Sequence, residues 1–172
     1  MKLERATDAD LPALHRLIER AYRGDTARAG WSHEADLLDG QRTDPQTLAE
    51  MLADPASHLL LWREHGEPAA CVALTDKSHG TAYLGLLTVD TSRQADGLGR
   101  VLLAAAESWA SQQLAAARVE MTVIVQRAEL VAWYERRGYR LTGERRPFPY
   151  GDQRFGEPRR GDLEFAVLEK AL

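Results

Sequence analysis

The sequence predicts an α/β (α+β) fold in which a central sheet of about seven strands is flanked by about four helices. Seven short apolar runs have strand-like patterns, and four longer segments carry apolar residues at helical spacing. Along the chain they follow the order strand, two helices, three strands, helix, strand, helix and two strands. With 172 residues, 44% hydrophobic and 28% charged, the chain is long enough for one core, and we expect residues 1–172 to form a single domain.

The first third of the chain predicts one strand and two helices. Residues 3–6 form the strand, and the capping residues of the segment 7–10 then begin a helix that ends near Gly24. Residues 24–43 have mixed periodicity, which indicates a loop with helical turns. Pro45 begins the second helix, because proline is favoured at the first helical position.

The middle of the chain predicts a meander and a long helix. Strands are expected over residues 58–63, 67–75 and 81–89, because short glycine-containing turns separate these apolar runs. The helix is expected over residues 97–117. Its apolar face is predicted to consist of Leu98, Val101, Leu102, Ala105 and Trp109.

The last third predicts a buried strand over residues 119–125 and a helix over 129–137 that glycine stops at position 138. Two further strands are expected, one beginning at residues 139–141 and one over residues 163–170. The connection between them, residues 143–162, is rich in proline and glycine. Structureless connections of this length in compact domains are often functional.

Composition argues against several classes of protein. The formal net charge of -4 gives no reason to expect nucleic acid or an anionic membrane as a partner. Cys71 is the only cysteine, so no internal disulfide can form, and we expect a reducing, cytoplasmic location. No apolar run approaches the roughly 18 residues that span a bilayer.

The most informative segment is the glycine-rich turn over residues 94–100, which joins a predicted strand to the long helix. The first turn of such a helix has unpaired N–H groups and can receive a phosphate. Gly-x-Gly alone is a weak signal, and an ordinary helix cap explains it equally well. A nucleoside triphosphate loop would need Lys-Ser/Thr where Arg100-Val101 stands, and a dinucleotide fold would need glycine at Leu102.

Gln94, Gly97 and Gly99 form the pattern Gln-x-x-Gly-x-Gly, and residues 133–139 consist of an aromatic, Tyr, three charged residues, Gly and an aromatic. These two segments resemble motif A (Gln/Arg-x-x-Gly-x-Gly/Ala) and motif B of the GNAT superfamily of N-acetyltransferases. The predicted element order is also similar along nearly the whole chain. The resemblance implies a mixed, mostly antiparallel sheet that splays between the fourth and fifth strands, and acetyl-CoA as acyl donor.

The resemblance also implies the residues that contact acetyl-CoA at the end of the fourth strand and in the turn: Thr88, Val89, Gln94, Ala95, Asp96, Gly97, Leu98, Gly99 and Arg100. The backbone N–H near Val89 would polarise the thioester carbonyl. Tyr134 would contact the cofactor and act as general acid, although it could instead only pack under the cofactor. Arg127 replaces an asparagine that is frequent in the family. Its side chain could bind a phosphate or carboxylate, or simply cap the helix.

Three carboxylates are candidates for the general base, namely Glu34, Asp36 and Asp90. Glu34 is favoured because it shares a short segment with Trp31 and His33, and in the family the loops after the first helix form the acceptor wall. His33 could assist as a base near neutral pH. The competing interpretation of Glu34 is a surface or capping glutamate.

The acceptor site is predicted from a local excess of arginine. Eight arginines and three acids lie between Arg136 and Arg160. If the irregular segments converge, an aromatic pocket containing Trp31, His33, Phe148, Tyr150 and Phe155 would lie beside Arg154, Arg159 and Arg160. Such a pocket would bind a small amine that carries a carboxylate or another anion. Alternatively, the aromatic residues pin the loop and the arginines are solvated.

The sequence thus predicts an N-acetyltransferase that moves an acetyl group from acetyl-CoA to a primary amine of a small molecule by direct attack in a ternary complex. A protein lysine or N-terminal acetyltransferase and a non-catalytic CoA-binding module remain alternatives. The five histidines show no metal-binding spacing, so no metal is expected. A homodimer is possible through the exposed edge of the last strands.

Overall fold

The computed structural model describes residues 1–23, residue 27 and residues 34–172, with the backbone alone for residues 94–96. The α-helices are α1 (Leu11–Tyr22), α2 (Pro45–Ala53), α3 (Leu98–Leu114) and α4 (Ala128–Glu135). The strands are β1 (Glu4–Arg5), β2 (Leu38–Asp39), β3 (Ser57–Glu64), β4 (Glu67–Asp76), β5 (Thr81–Val89), β6 (Arg118–Ile124), β7 (Arg140–Pro147), β8 (Glu157–Pro158) and β9 (Glu164–Ala171). The predicted fold class is confirmed.

Seven strands form the central sheet in the order β1-β3-β4-β5-β6-β9-β7, and the short strands β2 and β8 pair with each other. All neighbours in the central sheet are antiparallel except β5 and β6. The sequence did not predict β2 and β8, because a two-residue strand shows no alternation. A homodimer through the edge strand β7 stays a prediction.

The sheet splays between β5 and β6, as the resemblance implies. These strands pair only where Thr81, Ala82 and Tyr83 face residues 118–120, and beyond that point no pairing joins them. β6 instead pairs along its whole length with β9. On the other side of β5, the register with β4 shifts between Cys71 and Ala73. An irregular β5 and a fully paired β6 together leave a gap at the end of β5.

Helices cover both faces of the sheet. On one face, buried residues of α3 such as Leu102 and Leu103 pack against Leu60 and Val72. On the other face, Leu14, Leu17 and Ile18 of α1 and Leu48 of α2 pack against the neighbouring strand residues Leu59, Leu61 and Cys71. Successive strand residues therefore enter different clusters, which explains the continuous apolar run of β3.

The helix starts follow from local capping. The Asp10 carboxylate accepts the Thr7 N–H at 2.9 Å, directly before α1. The Asp44 carboxylate accepts the Thr47 N–H at 2.7 Å, with Pro45 at the first position of α2. These bonds satisfy N–H groups that a helix cannot pair internally.

Two details differ from the sequence prediction. The buried face of α3 consists of Leu102, Leu103, Ala106 and Ala110, whereas Val101 is exposed. Alanine lies on several sides of this helix, so the contact with the sheet, rather than an apolar stripe, selects the face. β7 also continues to Pro147, well past the predicted residues 139–141, because it is a largely exposed edge strand whose pairing with β9 leaves no hydrophobic pattern.

Candidate active site

The gap between β5 and β6 exposes backbone groups at the end of β5. The Asp90 N–H donates to the Ala69 carbonyl of β4 at 3.0 Å. Because successive N–H groups of a strand point to opposite edges, the N–H of Val89 is directed away from β4, toward the gap. Thr88 contributes no side chain there, since it is buried and its hydroxyl donates to the Leu86 carbonyl at 2.9 Å.

The N-terminus of α3 lies beside this gap. Gly97 stands at the N-cap position with φ +72°, a conformation that disfavours other residues, and a Cβ there would have nothing within 4 Å. Glycine has no side chain that could accept a hydrogen bond. The N-cap residue therefore provides no side-chain acceptor for the first N–H groups of this 17-residue helix. This arrangement suits a phosphate group.

A cavity of about 90 Å³ extends from this helix end, and we call it the small cavity. Gly97, Gly99 and Arg100 line one side, and Val89 and Leu87 of β5 line another. Trp133 and Arg137 complete it from α4 and the residues just after that helix. The Arg137 guanidinium lies 3.5 Å from the centre of the Trp133 ring and donates to the Trp133 carbonyl.

A second cavity of about 560 Å³, the large cavity, lies on the other side of the gap. Its volume is within the range of small-molecule sites. Residues of β5 and β6, including Leu84, Gly85 and Thr122, form its floor. Phe148 and Phe155 form part of its wall and belong to residues 148–163 between β7 and β9, which we call the C-terminal connection. The two cavities share five residues, namely Tyr22, Leu87, Arg127, Leu130 and Tyr134.

Tyr134 occupies the junction of the two cavities. Its ring makes edge contacts with Trp133 and Tyr139, with centroids 4.9 and 5.6 Å away. Burial raises the pKa of Tyr134 well above its usual range, so the phenol is protonated at neutral pH. Within the described part of the chain, no group forms a hydrogen bond with its hydroxyl.

Tyr22 also lines both cavities at the junction, and sequence reasoning missed it. Its hydroxyl donates to the Leu87 carbonyl at 2.9 Å, which ties the end of α1 to the irregular part of β5. The Arg42 guanidinium packs over its ring at 5.1 Å from the centroid. In the sequence Tyr22 looks like one more residue of an amphipathic helix, so no local signal marked it.

Glu34 lies in the wall of the large cavity, buried among three arginines. Its carboxylate is 2.6 Å from Arg23, 3.0 Å from Arg127 and 3.6 Å from Arg42. Burial alone would raise the pKa of Glu34, but the three positive charges outweigh burial and lower it to about 2. A carboxylate with this pKa is a poor acceptor for an ammonium proton, so the geometry argues against Glu34 as general base.

The other two candidate bases are also poorly placed. Asp90 is paired with Arg20 at 2.6 Å and accepts the Ser92 N–H, and it lines a different cavity beside α1. Asp36 is exposed and does not line the large cavity. Among the described residues, no carboxylate with an ordinary environment lines the large cavity.

The predicted acceptor residues separate in the structure. Phe148 and Phe155 line the large cavity, but Tyr150 and Arg154 do not. The Tyr150 hydroxyl donates to the Arg160 carbonyl and accepts the Leu163 N–H, so this side chain pins the C-terminal connection. Trp31 and His33 lie outside the described residues.

The predicted arginine fork is neutralised by local acids. Arg154 pairs with Asp152, Arg159 pairs with Asp39, and Arg160 pairs with Asp162. All three arginine side chains are exposed, and none of them lines the large cavity. The cations of the cavity are instead Arg23, Arg42, Lys77, Arg127 and Arg146.

Of the predicted cofactor residues, Val89, Gly97, Gly99, Arg100, Arg127 and Tyr134 line the small cavity. Leu98 is half-buried and packs against the core, and only the backbone is described for Gln94, Ala95 and Asp96.

Within the described ranges, no cluster of three or more His, Cys, Asp or Glu could hold a metal ion. Likewise, none of the described helices has the length and apolarity needed to cross a membrane.

Comparison with known proteins agrees with this geometry. The model of the acetyltransferase (GNAT) family matches residues 11–139. No curated protein matches the chain. Among solved structures, similarity extends over nearly the whole chain at low identity, which supports the fold.

Three of these structures illustrate the similarity. The ribosomal-protein-alanine N-acetyltransferase from Brucella melitensis is 18% identical with TM-score 0.70, covering 100% of both chains. Ard1 from Thermoplasma volcanium is 13% identical with TM-score 0.72, covering 99% of this chain and 97% of that one. A mutant spermidine N-acetyltransferase from Vibrio cholerae is 14% identical with TM-score 0.67, covering 99% and 95%.

The fold is that of a GNAT acetyltransferase. Because the family model spans most of the chain, this protein belongs to the GNAT acetyltransferase family. The family uses acetyl-CoA, and the open glycine turn at the start of α3 fits the phosphates of that molecule.

Proposed function

We propose that this protein is an N-acetyltransferase that transfers the acetyl group of acetyl-CoA directly to the primary amine of a small molecule. The observation that carries the proposal is the junction of the small and large cavities at Tyr134. Two cavities that share a wall can hold donor and acceptor at the same time, as direct transfer requires. A cysteine intermediate is disfavoured, because burial raises the pKa of Cys71 to about 12.

The residues of the small cavity fit the two ends of the donor. The N-terminal N–H groups of α3 and the cations Arg100 and Arg137 would hold its phosphates. The Val89 N–H, directed toward the gap, would donate to the carbonyl oxygen on which negative charge develops. Acetyl-CoA supplies the activated acetyl group as a thioester.

Tyr134 is proposed to act as the general acid. Its raised pKa keeps the proton on the phenol at neutral pH, and its position at the junction brings that proton to the place where the leaving thiolate needs it. The lack of another hydrogen-bond partner among the described residues leaves the hydroxyl free to make this bond.

The proton of the amine is proposed to leave to water in the large cavity. Arg23, Arg42 and Arg127 outnumber Glu34 in the cavity wall, and nearby positive charges lower the pKa of an ammonium group. The wall would therefore favour the neutral amine, which is the nucleophilic form. No dedicated carboxylate base is needed in this proposal.

Two observations favour the small-molecule enzyme over its alternatives. The large cavity has walls from α1, the central sheet and the C-terminal connection, and a concave site of this size suits a small amine. A CoA-binding module would have no use for a protonated, unpartnered phenol at the cavity junction. Both arguments support the enzyme and the small amine together.

The direct experiment measures thiol release from acetyl-CoA in the presence of amino acids, aminophosphonates, polyamines, aminoglycosides and peptide N-termini. Mass spectrometry of the reaction should show one acetyl group added to a small amine, with no acetyl group retained on the protein. Tight CoA binding without turnover on any amine would favour the binding module, and acetylation of peptides alone would favour a protein substrate.

A further inference from the structure

We propose that the acceptor amine also carries an anionic group, a carboxylate or phosphonate, and that Arg42 binds this group in the large cavity. The inference rests on the proposed function, because it names the class of acceptor for the same site. It places the anion site in the cavity wall and not in the C-terminal connection, whose arginines are paired with neighbouring acids.

The first argument is the charge of the cavity. Among the described residues, its lining contains five cations, Arg23, Arg42, Lys77, Arg127 and Arg146, and one carboxylate, Glu34. Arg146 is paired with Glu120 and Glu144, so four cations face the single carboxylate of the lining. The protein as a whole has a formal net charge of -4. A concave positive surface on a negative protein attracts anions selectively to that surface.

The second argument is the way in which Glu34 distributes its hydrogen bonds. Its Oε2 accepts from Arg23 at 2.6 Å, and its Oε1 accepts from Arg127 at 3.0 Å. Arg42 approaches only through Nε, at 3.6 Å, which is too long for a hydrogen bond. Glu34 therefore holds two arginines directly and leaves the donors of the third available.

The guanidinium of Arg42 is held in place, but its N–H donors lack hydrogen-bond acceptors among the described residues. Its guanidinium packs over the Tyr22 ring, which fixes the orientation of the group. Its Nε is buried without a hydrogen-bond partner, and its side chain forms no hydrogen bond with any described residue. A planar guanidinium presents five N–H donors in a geometry that matches carboxylate and phosphonate oxygens.

The third argument is that this guanidinium and the cavity junction adjoin the same side chain, Tyr22. Tyr22 contacts Arg42 through its ring and also lines the junction of the cavities, where Tyr134 stands. The anionic group and the amine would thus lie on either side of one aromatic ring. This short separation fits amino acids and aminophosphonates, whereas a long polyamine would place a second cation beside the arginines.

The test compares amines that differ only in the anionic group. The protein, saturated with CoA so that no turnover occurs, is titrated calorimetrically with amino acids and, in parallel, with the decarboxylated amine of each, for example phenylalanine and phenethylamine. At least one carboxylate-bearing amine should bind about tenfold or more tightly than its partner, the value of one charge-assisted hydrogen bond.

The variants assign the effect to Arg42. Arg42→Gln should remove most of the preference for the carboxylate, and Arg42→Lys should retain part of it, since the charge remains but the fork is lost. Arg159→Gln is the matched control, because Arg159 is an exposed arginine outside the cavity. Thermal unfolding of each variant shows whether the protein remains folded, and Arg42→Lys carries the test if Arg42→Gln does not fold.

The outcomes separate this inference from the proposed function. Equal or tighter binding of the decarboxylated amines, or a carboxylate preference that survives in Arg42→Gln, overturns the anion site. Acetylation restricted to polyamines or neutral amines overturns the anion site while supporting the transferase. Carboxylate-selective binding that depends on Arg42, without acetylation of any amine, supports the anion site and overturns the transferase.

Discussion

The Arg127 guanidinium lies 3.0 Å from the Glu34 carboxylate, and the two residues are 93 positions apart in the sequence. This ion pair joins the N-terminal end of α4 to the segment that follows α1. Both side chains are about nine-tenths buried, so the pair is poorly screened by solvent. It connects the two sides of the site at the place where the large and small cavities meet.

Replacing Tyr134 with phenylalanine tests the general acid. The ring and its contacts with Trp133 and Tyr139 remain, so folding should be unchanged. Loss of the hydroxyl should lower kcat by about a hundredfold, the lower range for a positioned proton donor, with little change in the KM for acetyl-CoA. Steady-state thiol release measures both constants. An unchanged kcat would mean that Tyr134 only packs beneath the donor.

Replacing Glu34 with glutamine tests whether this residue is an organiser of charge or a base. The lowered pKa of Glu34, about 2 against an ordinary 4.5, corresponds to about 3 kcal/mol of stability at pH 7. This contribution is present above pH 4.5 and is lost as the pH falls toward 2. The variant should therefore be less stable than the wild type at pH 7. The difference between their free energies of unfolding should be about 2 kcal/mol smaller at pH 3 than at pH 7.

Urea unfolding at several pH values measures this difference. Glu135→Gln, an exposed glutamate of α4, is the control and should stay within about 0.5 kcal/mol of the wild type. A general base would behave differently, because Glu34→Gln would then lower kcat across the pH range and leave stability largely intact.

Replacing Gly97 with alanine tests the phosphate site. At φ +72° an alanine should cost about 1 kcal/mol of stability, and its methyl group would project into open space at the start of α3. The KM for acetyl-CoA should rise about tenfold, because the methyl group hinders close approach to the backbone.

Gly143→Ala is a matched control for this variant. Gly143 also has a positive φ, +87°, and nothing within 4 Å of its Cβ position, but it lies in β7 away from both cavities. Both variants should lose similar stability, and only Gly97→Ala should change the KM for acetyl-CoA. Equal KM effects in the two variants would place the phosphates elsewhere.

Replacing Arg137 with leucine tests its contact with the donor. Arg137 lines the small cavity, is stacked on Trp133, and has an Nε that is buried without a hydrogen-bond partner among the described residues. The KM for acetyl-CoA should rise about tenfold, and its dependence on salt should weaken. Arg136→Leu, at the neighbouring exposed position, should leave both unchanged, and a similar effect of both variants would indicate a non-specific charge effect.

Patterns within short segments predicted much of the fold and of the proposed donor site. The strand runs, the caps at Asp10 and Asp44, and the glycine turn at Gly97 are local features, since each depends on residues a few positions apart. The splay of the sheet and the place of Tyr134 followed from two motifs of a known family. β2 and β8 could not be predicted because two-residue strands show no alternation, and the extent of β7 could not be predicted because this exposed edge strand has no hydrophobic pattern.

The proposed acceptor site rests on the tertiary structure alone. By composition, the arginines of the C-terminal connection looked like an anion site, but Arg154 and Arg160 are neutralised two residues away and Arg159 by Asp39, 120 positions distant. Glu34 as general base stays a prediction, and the arginines Arg23, Arg42 and Arg127 around its carboxylate argue against it. The sequence by itself determined the elements, the family and the glycine turn before α3, because the interactions that form them are short in range. The charge state of a buried side chain depends on neighbours that only the folded chain brings together.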